Sequence, residues 1–233
     1  MKKLVLELGG SDPFLVLQDA DLEKAALAAV RSRMANAGQS CIAAKRLIVA
    51  ESVFEPFRKK FVDVLDGLKV GDPMDESTDL GPVAKQEFLE PLRRQLDDAL
   101  KKGAKVHMGP KPPDRGYFFQ PVVLTGLTED MLVVREEVFG PIAPLIAARS
   151  EDEMVRVANE TEFGLGAAIW TGDISKAERL AREIASGFIA INGIVKSDPR
   201  LPFGGVKKSG LGRELSHFGL KEFVNIKTVV IGG

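Results

Sequence analysis

The chain has one cysteine and two histidines among its 233 residues. A single cysteine excludes an internal disulfide framework, because a disulfide needs two thiols. Cys41, His107 and His217 are too few sulfur and nitrogen ligands for a structural zinc site. The sequence therefore predicts no bound metal.

An excess of charge and a long apolar run are also lacking. The 32 basic and 33 acidic residues give a net charge of -1, so there is no electrostatic reason to expect nucleic acid or an anionic membrane as a partner. No apolar run approaches the roughly 18 residues that cross a bilayer. The basic and then apolar start of the chain is interrupted by Glu7, far short of a signal-peptide core. We expect a cytoplasmic protein, since a free thiol suits a reducing compartment.

A self-sufficient nucleotide-binding motif is missing too. Glycine-rich turns bind phosphates through backbone amides at a helix N-terminus. Ile169 and Leu215 stand where the third glycine of G-x-G-x-x-G would fall after Gly164-Leu165-Gly166 and Gly210-Leu211-Gly212, respectively. No G-x-x-x-x-G-K-[ST] motif occurs either. The sequence predicts no complete phosphate cradle of its own.

What the chain does contain is an alternation of strands and helices. Its 45% hydrophobic content is enough for a sizeable core. Apolar runs at 142–148, 166–170 and 187–191 are separated by amphipathic helical patterns at 150–159 and 174–186. This β-α-β-α-β series predicts an α/β fold with a mostly parallel sheet.

Further elements follow from the same patterns. Asp19 or Asp21 can cap a helix that ends near residue 36, and Ser52 can cap the next one. The leucines at 89, 92, 96 and 100 are expected to be a core stripe rather than a cofactor box. The other expected strands are 3–8, 14–17, 45–50, 106–113 (with a turn) and 118–124, and the other expected helices are 52–68 and 83–103.

The end of the chain is extended and β-branched from residue 221 to 231. Such a strand has no evident partner in the series, so it invites pairing with another subunit. We expect one domain over 1–220 and an oligomerisation arm over 221–233.

Two residues in small, polar or glycine-rich settings can support covalent chemistry. Cys41 follows Gly38-Gln39-Ser40, and Glu7 interrupts an apolar run before Gly9-Gly10. A thiolate is a strong nucleophile, and a nearby carboxylate can take protons from water. The alternative for Cys41 is inert packing, since free cysteine is among the most buried residue types.

Five segments together resemble the C-terminal half of an aldehyde dehydrogenase, nearest to the succinate-semialdehyde branch. They occur in the order that the family shows and span essentially the whole chain. They are Leu6-Glu7-Leu8-Gly9-Gly10, Gly38-Gln39-Ser40-Cys41, Glu136-Glu137-Val138-Phe139-Gly140-Pro141, Pro202-Phe203-Gly204-Gly205 and Ser209-Gly210-Leu211-Gly212-Arg213-Glu214.

The resemblance implies a layered αβα catalytic domain with a C-terminal arm that forms a dimer or tetramer. Members of the family are about twice this long. Their first half carries most of the NAD- or NADP-binding sheet and an asparagine that donates to the oxyanion. Because this chain begins directly before the glutamate motif, we expect that half to be absent and cofactor binding by this chain alone to be weak.

The resemblance also implies roles for individual residues. Cys41 would form a thiohemiacetal and then a thioester, and Glu7 would activate the water that releases the acid. Glu137, Phe139 and Gly9 match the nicotinamide side of the cofactor site, although a glutamate pair before an aromatic residue is otherwise typical of a solvated turn.

For substrate contacts the resemblance suggests Asn192 and Phe203 at the entrance, with turn chemistry as the alternative. Ser197 and Arg200 can contact the carboxylate of a semialdehyde, or they can belong to a solvated loop. Glu214 matches a position that relays protons to Glu7, or it caps a helix at the surface.

Three hypotheses follow. The first is the catalytic portion of an NAD(P)-dependent aldehyde dehydrogenase that oxidises succinate semialdehyde, with little or no dehydrogenase activity as this isolated chain. The second is a catalytically silent assembly or regulatory module. The third is an acylating relative that uses coenzyme A or phosphate in place of water, which a dedicated water-activating Glu7 argues against.

Overall fold

The computed structural model describes residues 2–233 of the chain. Its helices are α1 (Leu22–Met34), α2 (Phe54–Asp66), α3 (Leu89–Lys101), α4 (Leu132–Arg135), α5 (Glu151–Asn159), α6 (Ile174–Glu183) and α7 (Ser216–Glu222). Its strands are β1 (Leu6–Glu7), β2 (Asp12–Val16), β3 (Ala44–Ala50), β4 (Lys105–Met108), β5 (Val122–Thr125), β6 (Ile142–Ala148), β7 (Phe163–Gly164), β8 (Gly166–Trp170), β9 (Phe188–Ile191), β10 (Val206–Lys207) and β11 (Gly210–Leu211).

Seven strands form the central sheet in the order β4-β5-β6-β3-β2-β8-β9. Every neighbouring pair in it is parallel except β4 and β5. The predicted α/β class with a mostly parallel sheet is confirmed. The predicted β-α-β-α-β series is β6-α5-β8-α6-β9, in which the β6–β8 crossover passes over β3 and β2.

Helices cover both faces of the sheet, as the layered αβα expectation requires. Phe14, Val16, Leu47 and Val49 point to one face, where they pack with buried residues of α1, α2 and α3. Leu15, Leu17 and Ile48 point to the other, with buried residues of α5 and α6. Successive side chains of a strand alternate between faces, so each central strand contributes to two cores.

Three helix N-termini are capped by side chains. Asp21 accepts a hydrogen bond from the Lys24 amide at α1, Ser150 from Glu153 at α5, and Asp173 from Lys176 at α6. The predicted Ser52 cap is wrong, because Ser52 lies inside a 3-10 turn, Glu51–Val53, and α2 begins after it without a side-chain cap.

Helix α3 begins six residues later than predicted. Pro82 precedes a segment whose amides bond elsewhere: Val83 donates to the Tyr117 carbonyl at 2.9 Å and Ala84 to Gln39 Oε1 at 2.9 Å. These contacts hold the backbone away from a helix. The leucine stripe is only partly core: Leu89 and Leu92 are buried, whereas Leu100 is 40% exposed.

Strand predictions at the chain ends are partly wrong. The stretch predicted at 3–8 is a strand only at β1, which pairs with β11 rather than with the sheet. Lys221 and Glu222 belong to α7, and residues 223–233 form no strand and are exposed. The domain and arm boundaries at 220 and 221 stay a prediction. Within residues 2–233 no helix is both long and apolar enough to span a bilayer.

Candidate active site

Cys41 follows a turn whose backbone conformation is energetically unfavourable. After α1 the chain passes through three residues with left-handed φ angles: Asn36 at 52°, Ala37 at 55° and Gly38 at 74°. Such conformations are uncommon for non-glycine residues and persist only where surrounding contacts impose them. Here Asn36 and Gln39 exchange side-chain bonds to each other's carbonyls at 3.0 and 2.9 Å. These contacts fix the conformation of the turn, and the turn in turn fixes the start of the Cys41 segment.

The Cys41 side chain is partly buried rather than sealed. It packs against a small apolar cluster formed by Leu165, Val195 and Phe203. Burial raises the pKa of the Cys41 thiol, while the charge of Lys45 lowers it and that of Asp12 raises it further. The thiol thus lies at the edge of an apolar cluster and stays partly exposed, whereas the inert-packing alternative requires it to be sealed.

Glu7 is held on a short ribbon. It pairs with Gly210 across β1 and β11, and the next residue, Leu8, donates to the Ser209 carbonyl at 2.9 Å. Gly210 has a φ of 146°, and a Cβ there would lie 1.9 Å from the Leu6 carbonyl oxygen. Only glycine fits this close approach of the two strands.

Both carboxylate oxygens of Glu7 are buried and accept no hydrogen bond from the described part of the chain. Burial and the neighbouring Glu214 raise the pKa of Glu7, and Arg213 opposes them. An unpaired buried carboxylate costs free energy unless a ligand or water meets it. A buried carboxylate that has a raised pKa and receives no hydrogen bond is typical of a general base.

Glu7 and Cys41 border the same segment of chain. A Cβ on Gly204 would lie 2.9 Å from Glu7 Oε1, and Phe203, the preceding residue, belongs to the cluster that packs on Cys41. Phe203 and Glu214 also exchange backbone hydrogen bonds, at 2.9 and 2.7 Å. Phe203 is 5% exposed, and its place at the substrate entrance stays a prediction.

Glu137 connects the glutamate motif to the cysteine loop. Its Oε1 accepts from the Gly10 amide at 3.1 Å and pairs with Lys45 Nζ at 3.2 Å. Its Oε2 faces Gly9, where a Cβ would lie only 2.5 Å away, so a side chain at this position would push the carboxylate aside. Phe139 stands beside this group with 39% of its surface exposed.

These residues fit one end of a dinucleotide. Glu137 Oε2 receives no hydrogen bond within residues 2–233 and is free to accept one from a hydroxyl, and the exposed ring of Phe139 offers a face to a planar heterocycle. Nothing comparable meets phosphate groups in the described chain.

Asn192 and Ser197 are placed less favourably for a substrate. The Asn192 side chain accepts from the Thr171 amide at 3.0 Å and donates to the Thr171 carbonyl at 2.9 Å, which braces the ends of β8 and β9. Ser197 is exposed. Arg200 is bonded to Asp198 by two contacts of 2.9 and 2.6 Å, so a free substrate carboxylate would have to displace that partner.

Four buried charged residues near the site were not identified as site residues from the sequence. They are Asp12, Arg33, Lys45 and Arg46. A signal was present, because two basic residues open the apolar strand β3 and Arg33 falls on the apolar face of α1. Charged residues are almost never fully buried unless they are paired, so their place in apolar patterns marks a functional or bracing network.

Comparisons with known proteins find relatives that match along essentially the whole chain. The sequence model described as "Aldehyde dehydrogenase family" matches residues 1–229. A succinate-semialdehyde dehydrogenase [NADP(+)] of Mycobacterium avium (strain 104) is 48% identical over 233 residues, which is all of this chain and 49% of that protein. Its counterpart from Mycobacterium tuberculosis (strain ATCC 25618 / H37Rv) is 49% identical over 232 residues, 99% of this chain and 51% of the relative.

Solved structures give the same result. Betaine aldehyde dehydrogenase from Staphylococcus aureus in complex with NAD+ superposes with a TM-score of 0.90 at 37% identity, covering 94% of this chain and 44% of its own. Gox0499 superposes with a TM-score of 0.94 at 41% identity, covering 98% of this chain and 50% of its own. The chain spans about half the length of the relatives that it matches.

Proposed function

The chain belongs to the aldehyde dehydrogenase family, and from that premise we propose that it carries the thiol and water-activating chemistry of an NAD(P)-dependent oxidation of an aldehyde to its acid. The observation that carries the proposal is the shared border of two groups. Both the partly buried Cys41 thiol and the Glu7 carboxylate, which accepts no hydrogen bond within residues 2–233, lie against the segment of Phe203 and Gly204.

Cys41 is the nucleophile. Its thiolate sulfur bonds to the aldehyde carbon, and the carbonyl oxygen becomes an oxyanion that the Cys41 backbone amide can meet. The carbonyl re-forms as the hydride leaves, and the acyl group remains on sulfur as a thioester. When bound, the nicotinamide cofactor supplies the acceptor for that hydride.

Glu7 is the base for the second half of the reaction. A water beside its carboxylate attacks the thioester carbon and transfers a proton to Glu7, after which the C–S bond breaks and the acid leaves. Because burial raises the pKa of Glu7, the carboxylate is a stronger base than an exposed glutamate. The rate of thioester hydrolysis should therefore rise with pH through a pKa above the ordinary 4.5.

Glu137, Phe139 and Gly9 hold the nicotinamide ribose and ring in this proposal. Glu137 Oε2 would accept a hydrogen bond from a ribose hydroxyl, Gly9 would leave room for the approach, and Phe139 would offer its exposed face to the ring. Since the phosphates find no cradle in the described chain, we infer that NAD or NADP binds weakly unless a further segment completes the site. Dehydrogenase turnover by this chain alone should be low.

The substrate that we propose is succinate semialdehyde, on the strength of the named mycobacterial relatives. Asn192, Ser197 and Phe203 remain the proposed substrate-side residues, and Phe203 has the best placement of the three. We place the protein in the cytoplasm, where Cys41 stays reduced.

We propose further that residues 221–233 form an arm that joins copies of the chain into a dimer or tetramer. Phe223, Ile226, Val230 and Ile231 are each at least 79% exposed. A run of apolar side chains left in water favours burial against a partner. Residues 1–220 would then be the catalytic domain.

The two other hypotheses remain as outcomes of one experiment. The chain is mixed with an activated ester, p-nitrophenyl acetate, and the burst and steady-state release of nitrophenol are followed against pH. Cys41→Ser should abolish the burst. Glu7→Gln should keep the burst and slow the steady state by about 10²-fold or more, as loss of a general base does.

Glu90→Gln is the matched control, because Glu90 is exposed on α3. It should behave as the unsubstituted chain. No Cys41-dependent burst would refute the proposal and favour the silent assembly module. A steady state that coenzyme A accelerates while Glu7→Gln leaves it unchanged would favour the acylating relative.

A further inference from the structure

Lys45 is a fully buried cation whose bonding capacity is used completely. Its side chain is 0% exposed. Its ammonium donates to the carbonyls of Ser40 and Cys41, both at 2.7 Å, and meets Glu137 Oε1 at 3.2 Å. An ammonium has three donors, and three oxygens receive them. A buried lysine is tolerated when it is satisfied in this way.

The three oxygens belong to the two segments that form the site. Two are carbonyls of the cysteine loop, and the third is the carboxylate that also accepts the Gly10 amide, three residues after Glu7. The ammonium also lies 6.0 Å from the centre of the Phe139 ring. One positive charge thus connects the nucleophile loop, the glutamate motif and the nicotinamide-side residues.

The charges facing this group come from several elements. Arg33 reaches it from α1, Asp12 from β2 and Glu137 from the loop before β6, and all three act on Lys45. Of the neighbours that act on the Cys41 thiol, Lys45 favours the thiolate and Asp12 disfavours it. Removing the ammonium would leave burial and the Asp12 carboxylate against the thiolate, with only the backbone amides of Ile42 and Cys41 in its favour.

We propose that Lys45 is the positioning residue of this site, which fixes the Cys41 loop against Glu137 and sets the reactivity of the thiol through its buried positive charge. The proposal rests on the assignment of Cys41 as nucleophile. It adds a residue that acts through Cys41 without touching substrate. Glu137 acquires a second role in it, because its charge offsets part of the charge of Lys45.

The test is the pH profile of Cys41 alkylation by iodoacetamide, which reports the thiolate fraction of the only cysteine in the chain. Lys45→Met should move the profile upward by about one pH unit, so that alkylation at pH 7.5 slows about tenfold. Lys45→Arg keeps the charge and should restore most of the rate. Glu137→Gln leaves Asp12 as the acidic group that acts on Lys45, so less of the positive charge is offset and the profile should move the opposite way, to lower pH.

Lys176→Met is the matched control. Lys176 is a partly buried, ion-paired lysine on α6, and its loss should leave the profile unchanged. Unfolding cannot imitate the expected result, because the buried thiol has a raised pKa and exposure would speed its alkylation.

Lys45→Met with an unmoved profile and an intact unfolding transition would overturn the proposal. Should Lys45→Met fail to fold, Glu137→Gln decides, and an unmoved or upward profile would overturn it. The alkylation assay uses no aldehyde and no cofactor, so its result does not depend on the proposed dehydrogenase chemistry. A Cys41 burst with an unmoved Lys45→Met profile keeps the function and rejects Lys45. A shifted Lys45→Met profile in a chain that gives no ester burst keeps the effect of Lys45 on the thiol and rejects the proposed function.

Discussion

Replacing Arg46 with methionine removes the side chain that joins two strands to helix α5. Arg46 lies on β3 and is 1% exposed. Its guanidinium donates to the Ser11 carbonyl at 3.1 and 2.9 Å and to the Ser11 hydroxyl at 3.1 Å. It also donates to the carbonyls of Val157 and Ala158, at 2.5 and 2.9 Å, in the last turn of α5. A cation there meets carbonyls of the last helical turn, of which Val157 also accepts a longer bond, 3.3 Å, from the Glu160 amide.

The magnitude follows from those acceptors. Methionine fills much of the space but donates nothing, so up to three buried carbonyl groups lose a charged donor. Each buried group left unsatisfied costs about 1–3 kcal/mol. Relief from burying the guanidinium charge returns part of that cost. We expect the free energy of unfolding to fall by about 3–5 kcal/mol.

Urea unfolding followed by circular dichroism measures the change, with Arg93→Met as the control. Arg93 is exposed on α3, so its substitution should stay within about 0.5 kcal/mol. Amide exchange gives a local check, since the Glu160 amide, which bonds to the Arg156 carbonyl at 3.0 Å, should exchange faster in Arg46→Met. A loss below about 1 kcal/mol would refute the reasoning that these carbonyls depend on Arg46.

Two further predictions concern backbone packing and pH. Gly187→Ala would place a Cβ 1.7 Å from the Gly204 carbonyl oxygen. We expect this substitution to displace the segment beside Glu7, to lower the free energy of unfolding by about 1–3 kcal/mol or more and to slow ester turnover. Gly193→Ala is the control, because its Cβ meets only an oxygen at 3.8 Å, and it should change neither quantity. Burial raises the pKa of Asp12 from 3.8 to about 6, so the folded state binds this proton more tightly and its contribution to stability, present below pH 3.8, is lost as pH rises to 6, by roughly 3 kcal/mol. Asp12→Asn should remove that slope, so the variant should gain on the parent chain between pH 4.5 and pH 7 in urea unfolding; an equal difference at both pH values would contradict it.

Most of the architecture was predictable because its signals are local. The bounds of β6 and β8 are those that the sequence predicts, since an uninterrupted apolar run between polar turns defines a buried parallel strand. Asp21 and Ser150 are N-cap residues, so they mark the starts of α1 and α5 in the local sequence. The start of α3 was not predictable, because Val83 and Ala84 are held by acceptors 34 and 45 residues away in sequence.

The candidate site also has some residues that the local sequence reveals and others that depend on long-range contacts. Cys41 and Glu7 were identifiable as chemical groups, and the five motifs indicated that they act together. Gln95 is a polar residue next to the leucine stripe in sequence, yet it is buried, and its side-chain amide donates to the Glu137 carbonyl at 3.1 Å. Its role depends on a residue 42 positions away, and no local pattern contains that information.

The sequence by itself determined the α/β class, the order of the main strands and helices and the two proposed reacting groups, because periodicity, capping and residue chemistry act over a few residues. Only the tertiary structure decided which charges surround the thiol. Lys45, Arg33 and Asp12 come from three elements and meet only when β2, β3 and α1 pack. Their effect on Cys41 depends on distance and burial, and both quantities exist only in the folded chain.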